Sequence, residues 1–257
     1  MGNPMSLSRN ALIAACALSL SACNAIDQDK INQGIQLLGA ATSKSAPLTG
    51  VDQFSVADQI GSLKQALSQG AEASVADLAQ ANGFLGNPKV RIPLPANLME
   101  ADAKLRKYGL GKYADELNTS MNRAAEAAVP EAKALLLNAV TNMTVTDAKN
   151  ILMGKEDAAT QYFRSSTEAA LTAKFKPIVA NSMQKVTLAQ AYNRFATAGA
   201  TLGLVKQSDA TLDDYITSRA MNGLFLMVAE KEKEIRANPM QATGDLAKKV
   251  FTALLNK

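Results

Sequence analysis

From Ser55 onward the apolar residues of this chain recur at helical spacing. Leu63, Leu67, Ala71, Val75 and Leu78 fall three or four positions apart, while Lys64, Gln65 and Glu72 occupy other faces of the same stretch. The pattern breaks at Asn82-Gly83 and resumes over about Leu98–Tyr108 and again from Lys112. Pro130 suits the first turn of a new helix, with Glu131 near its positive end. Thr144, with Asp147 three positions on, predicts a capped helix to about Met153, stopped by Gly154. A long pattern from Glu156 towards Val186 is expected to kink or divide at Lys176-Pro177, because proline removes a donor and crowds the preceding turn. Thr187–Thr197 is another helical stretch, followed by a loop marked by Gly199, Gly203 and Ser208. Thr211 or Asp213 opens a helix carrying Ile216, Ala220, Gly223, Leu224, Met227 and Val228 at helical spacing. Its end, residues 230–236, reads as a solvated charged face on which Glu232 pairs with Arg236. Pro239 closes it, and a short helix over about Thr243–Leu255 ends the chain.

One segment departs from this pattern. Between Gly83 and Pro95 three prolines and two glycines forbid helix. Val90, Ile92 and Leu94 alternate there with Arg91, Pro93 and Pro95, which predicts an extended or polyproline-like strip with one apolar face. The expected fold class is therefore all-α: a single multi-helix domain over residues 55–257 with one extended Pro/Gly-rich segment.

Composition narrows the chemistry. The chain has 257 residues, of which 47% are hydrophobic and 19% charged, enough to bury a core. Aromatics make up 5%, tryptophan is absent, and alanine-rich stretches favour closely packed helices. Histidine is absent altogether, which removes Ser-His-Asp and Cys-His sites and the commonest transition-metal ligand. The cysteines, Cys16 and Cys23, both precede the helical body, so no thiol, disulfide or zinc cluster is expected inside it. A net charge of +4 with interleaved acids and bases is no nucleic-acid signature.

The N-terminus is more explicit. Arg9 precedes an apolar run, Ala11–Leu20, of signal-peptide length and too short to span a bilayer. Leu20, Ser21 and Ala22 then lead to Cys23, an order that resembles a bacterial lipobox. The resemblance implies cleavage before Cys23, a diacylglycerol thioether on its sulfur and acylation (palmitate, for instance) of the new amine. Several acyl chains give stable anchoring where one would be marginal. By the same resemblance Asn24, where aspartate would signal inner-membrane retention, implies the periplasmic face of the outer membrane. Residues 1–22 are thus expected to be a signal peptide, starting at Met1 or Met5. Residues 23–54 are expected to form a lipidated tether in which Ile31, Ile35 and Leu38 mark one short helical piece. The membrane is then a partner through the lipid on Cys23.

Five collinear blocks carry a wider resemblance: GFLGNPKVRIPLP at 83–95, NRAAEAAVPEAK at 122–133, DAATQYFR at 157–164, FKPIV at 175–179 and DDYITSRAMNGLFLMVAEKEKEIRANP at 213–239. Together they resemble the bacterial family catalogued as domain of unknown function 4197, over roughly residues 55–255. The resemblance implies a helical, exported, often lipid-anchored protein, and it brings no catalytic residues.

Each remaining candidate has a structural and a functional reading. The adjacent acids Asp213 and Asp214 suit helix capping better than metal or acid-base work, since no partners converge by spacing. Tyr162 and Arg164 flank Phe163, an arrangement able to clamp a carboxylate or phosphate; the favoured reading puts one ring in the core, one at its edge and the arginine over apolar surface. Arg91 sits on the extended strip, where irregular backbone on a helical scaffold often carries binding. The Ala/Met faces, including Met221 and Met227, fit core packing and equally the wall of a lipid cavity. Arg91, Tyr162 and Arg164 are the candidate binding residues; no catalytic residue, metal or cofactor is expected. The preferred function is a non-enzymatic outer-membrane lipoprotein binding an envelope protein or apolar ligand. A cell-envelope hydrolase or transferase using Asp157, Glu168, Asp213 and Asp214 is the first alternative, and a structural spacer the second.

Overall fold

In the computed structural model, residues 53–187, 189–190, 192–193, 211–238 and 244–255 are described. The expected signal peptide, Cys23 and nearly all of the expected tether lie outside the described residues, as do the expected 199–208 loop and much of the expected 187–197 helix. The described residues belong to one unit, Thr49–Lys257, and are all-α, with no strand among them. In chain order they form α1 (Val56–Ala79), α2 (Ala96–Lys107), α3 (Lys112–Ala128), a 3-10 turn (Val129–Glu131), α4 (Ala132–Thr141), α5 (Val145–Leu152), α6 (Ala158–Met183), α7 (Leu212–Ala237) and α8 (Asp245–Leu255).

Local chemistry explains where the helices begin. Ser55 Oγ accepts from Asp58 N at 3.0 Å to start α1, and Thr211 Oγ1 accepts from Asp214 N at 3.1 Å to start α7. Thr144 opens α5 with a full capping box: its hydroxyl accepts from Asp147 N at 3.1 Å while Asp147 accepts from Thr144 N at 3.0 Å. Pro130 sits in the 3-10 turn that hands α3 over to α4.

The Thr144 hydroxyl and then the Thr144 amide hold the Asp147 carboxyl below its ordinary value of 3.8. The unfolded chain therefore binds more protons than the folded one across that window, so this stability is present above the ordinary carboxylate range and is lost as pH falls through the lowered value. Melting temperatures recorded from about pH 6 down to about pH 3 should show Asp147→Asn below the parent at neutral pH, with the gap closing in acid.

The core follows the predicted stripes. Leu63, Leu67, Ala71, Val75 and Leu78 of α1 are buried, as are Ile216, Ala220, Leu224 and Val228 of α7. The most extensive pairing joins α6 to α7; α6 also packs on α3, and α1 packs on α7, α4 and α8. α6 and α7 run antiparallel: Glu232 near the end of α7 meets Ala159 at the start of α6, and Lys176 near the end of α6 meets Asp214 at the start of α7.

Two expectations need correction. Pro177 does not divide its helix, for α6 runs unbroken from Ala158 to Met183. A proline costs one backbone donor, and here Phe175 and Val179 on either side are wholly buried, so packing offsets that loss and the helix continues. The charged end of α7 is not a solvated face throughout. Glu232 is 6% exposed and accepts from Ala159 N at 3.0 Å, Thr160 N at 2.9 Å and Thr160 Oγ1 at 2.9 Å. It thus caps the start of α6 from another helix, while Arg236 neutralises it at 2.9 Å and reaches on to Ile151 O.

Candidate functional site

The segment after α1 is where the helical scaffold carries irregular backbone. α1 stops at Ala79, Asn82 takes a left-handed conformation with φ 70°, and the chain turns back tightly at Gly83. A Cβ at Gly83 would lie 2.4 Å from Leu78 O, so only glycine passes there. Phe84 then enters the core against Gly223 of α7, where a Cβ would come within 2.8 Å of the Phe84 ring.

Residues 84–93 are fastened mainly by side chains of α3. Glu126, buried, accepts from Phe84 N and Leu85 N, both at 3.1 Å, and pairs with Arg123 at 2.6 Å. Arg123 also donates to Asn82 Oδ1 at 2.9 Å. One turn back along α3, Asn122 accepts from Ile92 N at 2.8 Å and donates to Ile92 O at 3.0 Å, and Asn118 donates to the same carbonyl at 3.1 Å. Asn122 thus takes the place of a neighbouring strand, which is why an extended strip exists without a sheet. On the other side Tyr215 of α7 donates to Pro93 O at 3.1 Å, and Lys89 pairs with Glu230 of α7. The alternation is as expected: Val90 and Ile92 are buried, Arg91 and Pro93 exposed. Pro95, expected on the outer face, is buried instead, where the chain turns into α2.

Where this strip crosses α7 it leaves an open groove of about 140 Å³, lined by Lys89 to Pro93 and by Arg219, Asn222, Gly223 and Leu226. Arg91 donates to Asn118 Oδ1 at 3.1 Å, and the Arg219 guanidinium lies over the Tyr215 ring at 5.2 Å. Elsewhere, between α1, α6 and α7, two voids of about 20 and 10 Å³ are no larger than a water needs. A larger open pocket of about 630 Å³ lies between Gln53-Phe54 and α8, with Asp245 among its lysines.

The other candidates are placed as follows. Phe163 is buried, while Tyr162 lies at the core edge and donates to Ala139 O at 2.8 Å. Arg164 covers the Phe225 ring at 4.5 Å, pairs with Glu168 at 3.1 Å and donates to Asn222 Oδ1 at 3.3 Å. Arg164 therefore meets the groove wall that Arg91 flanks, through Asn222, whereas Tyr162 serves the α4 contact. Met221 is core, and Met227 packs at the core edge beside Asn87.

The four carboxylates of the enzymatic alternative are not gathered. Asp157 accepts from Gln161 at the start of α6, and Glu168 pairs with Arg164. Asp214 pairs with Lys176 at 2.6 Å, about 28 Å of helix from Asp157. Burial pushes the Asp213 carboxyl above its ordinary value, partly offset by Asn193 at 3.3 Å. Among the described residues no three acids converge on a metal position, and no helix is long and apolar enough to cross a membrane.

The blocks that hold and face the strip, 83–95, 122–133 and 213–239, are thus one structural unit. The family model that contains them matches residues 53–252. The chain belongs to the DUF4197 family of proteins of unknown function. No curated protein and no solved structure matches it. Within this DUF4197 domain, Asn118, Asn122, Glu126 and Glu232 escaped the reading of the sequence as functional or buried positions. Their spacing carried a signal: 118, 122 and 126 form one polar row on α3, and extending the 216-220-224-228 stripe of α7 by four lands on Glu232.

Proposed function

We propose that this DUF4197 protein is a lipid-anchored envelope protein that binds a partner through the groove between the 89–93 strip and α7, and performs no chemistry of its own. The observation that carries the reading is the strip itself. Two helices commit buried polar side chains, Glu126, Asn122 and Tyr215, to fix irregular backbone beside an open surface. A spacer has no need of such a device, since continuous helix would span the same distance. The small voids between α1, α6 and α7 favour a partner met at the surface over an apolar ligand taken between these helices. The absence of histidine and the separation of Asp157, Glu168 and Asp214 favour binding over hydrolysis or transfer.

Anchoring rests on Leu20 to Cys23 and outer-membrane placement on Asn24. Metabolic labelling with palmitate and intact mass measurement test it in the native host. The expected result is a mature chain beginning at Cys23, carrying acyl mass and sedimenting with outer membranes; Cys23→Ala should lose the label. A parent chain that is unlabelled and released by osmotic shock would overturn the anchoring.

A further inference from the structure

We infer that the groove between the 89–93 strip and α7 is a seat for a phosphoryl group, an inference that deepens the binding reading above and rests on it. Arginines elsewhere in the described domain are neutralised: Arg106 by Asp102 and Asp115, Arg123 by Glu126, Arg164 by Glu168, Arg236 by Glu232. Arg91 and Arg219 have no carboxylate partner among the described residues, and both line this groove. Lys89 adds a third cation, shared with Glu230, and no acid is among the lining residues.

The other polar groups are also set for an anion. Asn222 has its amide oxygen occupied by Arg164, which leaves its NH2 as what it can offer. Two of the strip carbonyls, Ile92 O and Pro93 O, are already taken by Asn118, Asn122 and Tyr215. The polar side chains lining the groove, Lys89, Arg91, Arg219 and Asn222, are therefore all able to donate. Both guanidiniums are already held, Arg91 by Asn118 and Arg219 over Tyr215, so part of their ordering cost is met before anything binds.

Charge and size select the ligand class. Two guanidinium forks, an ammonium and an amide exceed what the two oxygens of one carboxylate can use. A phosphoryl group brings three acceptor oxygens and up to two charges. A volume of about 140 Å³ matches the roughly 150 Å³ that holds one benzene, and lies below the roughly 300 Å³ at which pockets for whole drug-sized ligands begin. The groove thus seats the phosphoryl head, while the remainder of the ligand lies over Leu226, which is 42% exposed. A soluble phosphate ester and a phospholipid headgroup share this chemistry.

Two arms test it. In the first, the mature chain in neutral detergent is titrated calorimetrically with inorganic phosphate, glycerol phosphate and acetate. Phosphate and glycerol phosphate should bind at least about tenfold more tightly than acetate. Arg91→Gln and Arg219→Gln should each weaken them about tenfold or more. The Lys variants at both positions should fall between, since charge remains and the fork is lost; the exposed Lys133→Gln should match the parent. In the second arm, the chain from Asn24 onward, which carries neither the signal segment nor the lipid, is floated with phosphatidylcholine vesicles with or without phosphatidylglycerol. Flotation that needs the anionic lipid and both arginines assigns the ligand to a headgroup; phosphate binding without flotation assigns it to a soluble ester. Binding no stronger than acetate, or binding undiminished in the Gln variants, overturns the inference. A protein crosslinked at the groove with no phosphate binding would overturn it too, while leaving the partner reading intact.

Discussion

Glu232→Ala is expected to destabilise the domain by about 3–5 kcal/mol, the range for removing one partner of a buried ion pair. The carboxylate does more than meet Arg236. It accepts from two successive amides and a hydroxyl at the start of α6, so its loss leaves Ala159 N and Thr160 N without acceptors and Arg236 without a counter-charge. For a domain of this size the melting temperature should fall on the order of 10 °C. Glu232→Gln keeps an acceptor oxygen and the shape but gives up the charge, and should cost about 1.5–3 kcal/mol. The ordering matters more than either value. Two near-neutral variants would mean that Glu232 is solvated, as the run of alternating charges around it suggests.

The second large effect belongs to the strip. Asn122→Ala should cost about 2–3 kcal/mol in urea unfolding, because Ile92 N loses its acceptor and Ile92 O keeps only Asn118. Glu126→Ala should cost at least as much, since it frees two buried amides and leaves Arg123 unpaired. The pair should not be additive. Once either anchor is lost the strip is partly released, so the double variant should fall short of the sum by more than about 0.5 kcal/mol. Strict additivity would mean that the two side chains hold separate things.

These residues also show what was legible in the sequence. Apolar periodicity placed α1 and α7 and their buried stripes, and the Thr144–Asp147 spacing announced a capping box, because both signals are local in the chain. The strip between Gly83 and Pro95 declared itself through proline and glycine, and its inward face through alternation. Less legible was what the strip rests on. Asn122 and Ile92 stand thirty positions apart, Glu232 and Thr160 seventy-two, and such partners are chosen by tertiary packing. Polar residues within a helix default to a solvated reading, and only their four-residue rows marked Asn122, Glu126 and Glu232 as facing inward. Pro177 misled for a related reason, since the local penalty was real and packing on both sides outweighed it. Of the candidate binding residues, Arg91 lines the groove and Arg164 reaches it through Asn222, whereas Tyr162 is engaged at Ala139; that Arg219 has no carboxylate partner among the described residues had no local signal at all.

The strip is rigid backbone held by α3 and α7, a fixed wall for the groove rather than a loose connection. Amide hydrogen exchange on the intact protein tests this most directly. Phe84, Leu85 and Ile92 should exchange as slowly as the buried turns of α3 and α7, although they belong to no helix or sheet. Glu126→Gln should speed Phe84 and Leu85, and Asn122→Ala should speed Ile92, each leaving α6 protected. Rapid exchange of these three amides in the parent protein would mean that the strip is a loose connection and no fixed wall.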